Sequence, residues 1–501
     1  MSADPDLRDR IFDVTHLRKH LGARTGKAAS TALFMSALRV LLQIASISIL
    51  ARLISPAEYG IYALAMPGVV LALALSNFGL SQAIVRDPDM THRLASNLFW
   101  INAAFGILGT LALMALAGVA ARFFDEPRVT PVFQLISLAV FFSAMTGPYM
   151  AIMRRRLEIR LLETTTLSIG VLTLGVAIVA ALMGASYWAL VIQQLTGPLL
   201  ILIALMAKTG WQPSRPDLAQ RDKVVSALKF GGFIAGYSIV SRMTGYVGTV
   251  VVGRMFDEVA AGLYYRAHNL AVMPRQRVVR PLATAFVPAL SRVQHEEDAF
   301  RALYRRTNSR SALIMMPLAV LIALGAEPLV AVLLGPMWTD IVPILTWLAL
   351  ISAMAPILLG LNNVMMAKGL GGELFAVTVL RLILVTVAMV LAAPAGMKTM
   401  VSAYMLVELF LVLPITILAV IRMTPVTLRD ILGAGGREFA LAGLITAGLW
   451  PVAPFFQGLP ALLELLALCC VIGAIYMVRI LLEPSMRQDV AKVFLKRLRK
   501  G

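Results

Sequence analysis

Residues 50–62 read LARLISPAEYGIY, and 202 residues further on residues 252–264 read VGRMFDEVAAGLY. Arg, Gly and Tyr coincide at one offset: Arg52 with Arg254, Gly60 with Gly262, Tyr62 with Tyr264. Each segment closes one apolar run and opens the next. Both are therefore read as the outward turn between the first and second helix of a half, with glycine permitting a tight chain reversal. A chain that sets the same turn at the same place in two successive series of apolar runs is built from two parallel copies of one bundle.

Outward from these turns, apolar runs recur almost back to back from Ala28 to Leu482. Of the 501 residues, 59% are hydrophobic and 14% charged, against about 45–50% and about 25% in a soluble domain. That composition excludes an ordinary soluble enzyme. A hydrocarbon core about 30 Å thick takes roughly 20 apolar residues per helix. Spans are expected near 28–53, 59–85, 94–122, 131–152, 163–184, 186–207 and 224–253, then 260–290, 309–335, 340–367, 373–393, 397–421, 438–456 and 459–482. The expected fold is an all-α polytopic membrane protein of about 14 transmembrane helices. Two pseudo-symmetric six-helix lobes (28–208 and 224–421) are joined by an interlobe loop (209–223). Residues 422–482 add a loop and two C-terminal helices, and 483–501 form a basic tail. Residues 1–27 are charged, without the apolar core of a cleavable signal, and are expected to stay on the chain as an arm.

Charge orients the chain. The net charge is +18, but it is not spread as a nucleic-acid surface would require. With this set of spans the arm, the even-numbered loops and the tail hold about 32 Lys and Arg, and the odd-numbered loops about five. Positive loops resist translocation, so both termini are expected in the cytoplasm. Clusters such as Arg154-Arg155-Arg156 and the tail read as topology anchors facing anionic lipid. The two cysteines, Cys469 and Cys470, are adjacent in the last apolar run and offer neither an ordinary disulfide nor a four-ligand metal site.

Eight cations fall inside the expected spans: Arg39, Lys229, Arg242, Arg266, Arg275, Arg277, Arg280 and Arg381. A cation at mid-bilayer costs at least about 2.5–3.5 kcal/mol unless it faces a wet or paired site. At 100° per residue, Arg266, Arg277 and Arg280 share one face of the eighth helix, and His268 and Arg275 lie opposite. Only Glu408 and Glu464 stand well inside apolar runs, so the cations are expected to have few internal partners. An anionic substrate would supply the missing countercharge, and arginine suits bidentate phosphate recognition. The two glutamates are the candidates for coupling to a proton or sodium ion. No phosphate-binding loop, paired carboxylates, nucleophile motif or metal-ligand spacing stands out, so no catalytic residue, metal or cofactor is expected.

The stretches LISPAEYGIY (53–62), NFGLSQAIV (77–85), LYYRAHNLA (263–271) and FVPALSR (286–292) resemble the polysaccharide transporter family. This is the Wzx-like branch of the multidrug/oligosaccharidyl-lipid/polysaccharide exporter superfamily. The resemblance covers essentially the whole chain, through helix-turn packing patterns and not catalytic signatures. It implies a pair of six-helix lobes working by alternating access in the bacterial inner membrane. The implied substrate is an undecaprenyl-pyrophosphate-linked oligosaccharide, flipped to the outer leaflet for exopolysaccharide, capsule or O-antigen assembly. Implied partners are the bilayer and the polymerase and chain-length components of such a system. Three alternatives stand beside it: a lipid II flippase, a cation-coupled multidrug exporter of the same superfamily, and a membrane glycan polymerase. The exporter would need embedded carboxylates, which the cation-rich interior lacks. The polymerase would need a sizeable outward domain, and the odd-numbered loops are short.

Overall fold

A computed structural model describes residues 12, 21–76, 80–87, 90–217, 221–274, 276, 280–451 and 459–482, with the backbone alone for 21–33, 76, 82, 86, 221–235 and 280–285. Among these residues there is no strand. Eleven helices among the described residues are long and apolar enough to cross a membrane, which makes the chain a multi-pass membrane protein.

The chain divides into two compact units, one of residues 1–265 with 378–394, the other of 266–377 with 395–501. In the first, α1 (Leu21–Leu53), α2 (Pro56–Ser76) and α3 (Leu80–Arg86) lead to α4 (His92–Phe124), α5 (Val129–Arg155), α6 (Ile159–Leu182), α7 (Trp188–Thr209) and α8 (Arg221–Met255). Helix α5 is central: it packs on α4, α7, α2 and α3, while α1 lies on α6 and α8 on α2. The helices start and stop for local reasons. Thr91 caps α4 through the Leu94 N–H at 3.3 Å, and Gly210, at φ 62°, ends α7 in the left-handed conformation that glycine adopts without strain.

After α9 (Glu258–Pro274) and α10 (Arg280–Arg292), the second unit continues with α11 (Glu297–Leu324), α12 (Ala326–Leu333), α13 (Val342–Ala353) and α14 (Ala355–Ala367). Helix α15 (Gly371–Ala392) follows, its residues from 378 onward belonging to the first unit, and then, in the second, α16 (Met397–Val407), α17 (Leu413–Met423), α18 (Leu428–Ile431), α19 (Arg437–Leu449) and α20 (Ala461–Leu482). Several expected single spans are broken helices. Gly325 separates α11 from α12, and α14 restarts with Pro356 in its first turn, where the missing N–H costs nothing. A π-turn interrupts the run at Glu408–Val412, and a second, rich in glycine, stands at Leu432–Gly436 in the stretch expected as a loop. Helix α11 is the hub here, packed against α13, α14, α19 and α20.

The repeated segments hold up in detail, with one correction. The chain reverses at 54–55 and at 256–257, where no glycine stands. Ser55 caps α2 in a capping box: the Ser55 N–H donates to Glu58 at 2.9 Å and the Glu58 N–H to the Ser55 hydroxyl at 3.4 Å. Asp257, at the matching position, accepts the Ala260 N–H at 2.7 Å. Gly60 and Gly262 sit one turn inside α2 and α9, neither at positive φ. Close approach, not reversal, requires them. A Cβ at Gly60 would fall on the backbone carbonyl of Glu258, 3.1 Å from its Cα, and one at Gly262 would fall on the carbonyl of Pro56, 2.9 Å from the Gly60 nitrogen. Pro56 and Glu258 are themselves equivalent positions, so the contact is reciprocal.

Candidate functional site

The spanning helices carry ionic groups of three kinds. Arg39 on α1 donates to the Glu163 carboxylate and, at 3.1 Å, to the Thr166 hydroxyl, both on α6. On the neighbouring helix, the Lys208 ammonium reaches the Thr165 hydroxyl at 2.5 Å. Further along the same helices, Gln193 donates to Ser46 at 3.3 Å, and Tyr62 to Gln194 at 3.5 Å. The first unit thus has a line of polar side chains along α1, α6, α7 and α2, which supplies hydrogen-bonding groups where hydrocarbon would offer none.

In the second unit Arg266 is 6% exposed and its guanidinium lies 5.8 Å from the centroid of the Trp338 ring, a cation–π distance. Glu408 is fully buried at the start of its π-turn. Arg479 donates to Glu438 at 2.8 Å, and Glu438 is 1% exposed. Thr307, Asn308, Ser311 and Asn363 line a small notch with Phe286 and Gly360, room for about one water. The Asn308 side-chain oxygen lies 2.3 Å from where a Cβ on Gly360 would sit.

The expected cations stand in different settings. Arg39 is half-exposed and paired, Arg242 is exposed on α8, Arg381 is half-buried on α15, and Arg266 is buried. Lys229 and Arg280 are placed by backbone alone, on α8 and at the first residue of α10. Arg275 and Arg277 lie outside the described residues, so the shared face of Arg266, Arg277 and Arg280 does too. Glu464 is half-buried in the first turn of α20. Of the expected cations Arg39 has a carboxylate partner, Glu163, that hydropathy passes over, and Glu438 is likewise passed over as the partner of Arg479, a cation outside that set. In sequence each looks like the charged edge of an apolar run, whereas the helices begin at Ile159 and, for the other, before Glu438 at Arg437. A carboxylate opening an apolar run, with an arginine at similar depth elsewhere, is the available signal. The anchoring cluster is corrected as well. Arg155 is 8% exposed and donates to the carbonyls of Phe12 and Ile84, both at 3.1 Å, and of Asp87, while Arg156 pairs with Glu158 at 2.8 Å.

Outside the spans, two carboxylates are set by their partners. Arg128 donates to Glu126 at 2.8 and 2.6 Å and holds that carboxyl below its ordinary range, against the effect of burial. The same guanidinium reaches Glu258 at 3.2 Å. Burial pushes Asp430 up, but the Thr427 N–H and hydroxyl, with Arg305 and Arg301 nearby, hold it lower overall. Among the described residues no group of three or more His, Cys, Asp or Glu could hold a metal ion. Cys469 and Cys470 are exposed on α20.

Solved structures share this helical, multi-pass fold. A lipid II flippase in an inward closed conformation matches with TM-score 0.66 at 10% identity, over 91% of this chain and 99% of that one. An inward-facing multidrug resistance transporter matches with TM-score 0.59 at 14% identity, over 82% and 98%. Residues 49–343 match the family described as polysaccharide biosynthesis protein, and the chain belongs to that family. Among its relatives, the lipopolysaccharide biosynthesis protein WzxC of Escherichia coli K12 is 24% identical over 435 residues, 85% of this chain and 84% of that one. The succinoglycan biosynthesis transport protein ExoT of Rhizobium meliloti is 26% identical over 309 residues, 62% of each. The teichuronic acid biosynthesis protein TuaB of Bacillus subtilis is 22% identical over 332 residues, 66% and 68%.

Proposed function

We propose that this protein flips undecaprenyl-pyrophosphate-linked oligosaccharide repeat units from the cytoplasmic to the outer leaflet of the bacterial inner membrane, both termini being cytoplasmic. The observation that carries the reading is the match to a lipopolysaccharide biosynthesis protein over most of both chains. A fold shared with a lipid II flippase supports it.

Moving a sugar head group through hydrocarbon is prohibitive because each hydroxyl loses water without replacement. The protein need only offer a polar path while the lipid tail stays in the bilayer. Arginines, Arg266 among them, would hold the pyrophosphate. With the cytoplasm negative, outward movement of an anion is downhill by about 2.3 kcal/mol per charge per 100 mV, so two charges over roughly 150 mV gain about 7 kcal/mol. Such a gain makes ATP unnecessary.

The test is translocation of a fluorescent pyrophosphate-linked polyprenyl oligosaccharide in proteoliposomes under an imposed potential. Compared with wild type would be Arg266→Ala and a double variant, Arg277→Ala with Arg280→Ala. The expected result is transport that follows the potential and collapses in the variants. Wild-type inactivity towards several such lipids, with export of a cationic dye, would overturn the reading.

A further inference from the structure

We infer that the reciprocal contact of Gly60 and Gly262 is a seal that parts in every transport cycle, with Arg128 as its clasp. This rests on the transport reading and on the orientation proposed above, which puts these turns at the outward end.

The contact is made by backbone. Gly60 faces the Glu258 carbonyl and Gly262 the Pro56 carbonyl, with no side chain between them. Two such surfaces gain little from interdigitation; contacts of Cα–H on a carbonyl are worth about 0.5–1 kcal/mol each. A surface without knobs and holes can part and re-form without moving rotamers, whereas an interleaved core cannot. Just inside it, the Tyr62 and Tyr265 rings meet edge to face at 6.2 Å between centroids. Tyr62 is 8% exposed, and if the contact above it parts, water gains a way to it.

The clasp is ionic and half-exposed. Arg128, from the turn between α4 and α5, is fixed to its neighbour Glu126 and reaches across to Glu258, the residue whose carbonyl Gly60 touches. Its side chain is 51% exposed. A bond of this kind weakens with salt and breaks at small cost. It biases the seal towards closure without fastening it.

The experiment uses the full chain in proteoliposomes, with Cys469→Ala and Cys470→Ala as background and Tyr62→Cys as reporter. A membrane-impermeant maleimide is added from the outward side. Backbone cannot yield to a methyl group, so Gly60→Ala should hold the seal ajar and raise the labelling rate at least about fivefold. Arg128→Gln, on a half-exposed side chain and with an amide still able to donate to Glu126, should raise it less and abolish its dependence on salt, with the thermal midpoint checking that the fold is kept; Arg128→Lys should restore most of that dependence. Unchanged labelling in Arg128→Gln would overturn the clasp. A Gly60→Ala protein that labels like wild type, or that no longer folds, would overturn the seal and make the contact static packing. Labelling needs no substrate, so failure to translocate any lipid-linked sugar would sink the flippase reading while this result stood.

Discussion

Ser55 and Asp257 lie 202 residues apart and cap their helices in the same way, for each accepts a backbone N–H from the first turn of the helix that follows it, Glu58 in one case and Ala260 in the other. The side chains differ while the hydrogen bond is kept. The two turns are therefore equivalent in chemistry, beyond the three identities visible in the sequence.

Capping sets the first prediction. Ser55→Ala should cost about 1 kcal/mol of stability and Ser55→Gly only a few tenths, read as thermal midpoints in one detergent. The reverse order would show that Ser55 acts through packing instead.

Arg479 and Glu438 form a pair within the second unit, the carboxylate buried and the guanidinium partly exposed, and breaking a buried pair costs up to about 3–5 kcal/mol because the remaining charge loses its partner. Glu438→Gln should lower the thermal midpoint markedly. Adding Arg479→Met to Glu438→Leu should recover most of the loss, and a double variant as unstable as the single one would contradict this account.

Asp430 ties stability to pH. Its carboxyl titrates below its unfolded value, so its contribution is complete above about pH 4 and disappears as the pH falls through the folded value. The difference in thermal midpoint between wild type and Asp430→Asn should be constant from about pH 5 to 8 and shrink below about pH 4. A gap that widened in acid would reverse the sign and refute it.

Arg266 lies over Trp338, and a planar guanidinium can stack there while an ammonium is a compact point charge. Arg266→Lys should reduce transport of the pyrophosphate-linked lipid at least tenfold while leaving the chain monodisperse in detergent. Full transport by the lysine variant would show that charge alone suffices.

Much of the fold is legible in the sequence because membrane spans obey a length rule: apolar runs mark helices whatever they pack against. What periodicity cannot display is where the helices break. Gly325 and Pro356 interrupt helices inside continuous apolar stretches, and hydropathy is blind to backbone geometry. The site is less legible than the fold. Arg39 is visible as a cation in an apolar run, but Glu163 is spent as a boundary marker, since a one-dimensional reading cannot tell a charge that ends a helix from one that faces a neighbour. Gly60 and Gly262 stand out in sequence for the wrong reason: the turn beside each is visible there, and the chain segment each one meets is not.

The reciprocal glycine contact also bears on ancestry. A contact in which position 60 meets 258, and 262 meets 56, is self-complementary, the kind two identical subunits make about a two-fold axis. A half-length chain bearing one copy of this turn would already present both sides of the interface. Pairing with itself would then come before gene fusion, and fusion would need only to tether partners that already fitted, leaving the glycines fixed while the side chains around them diverged.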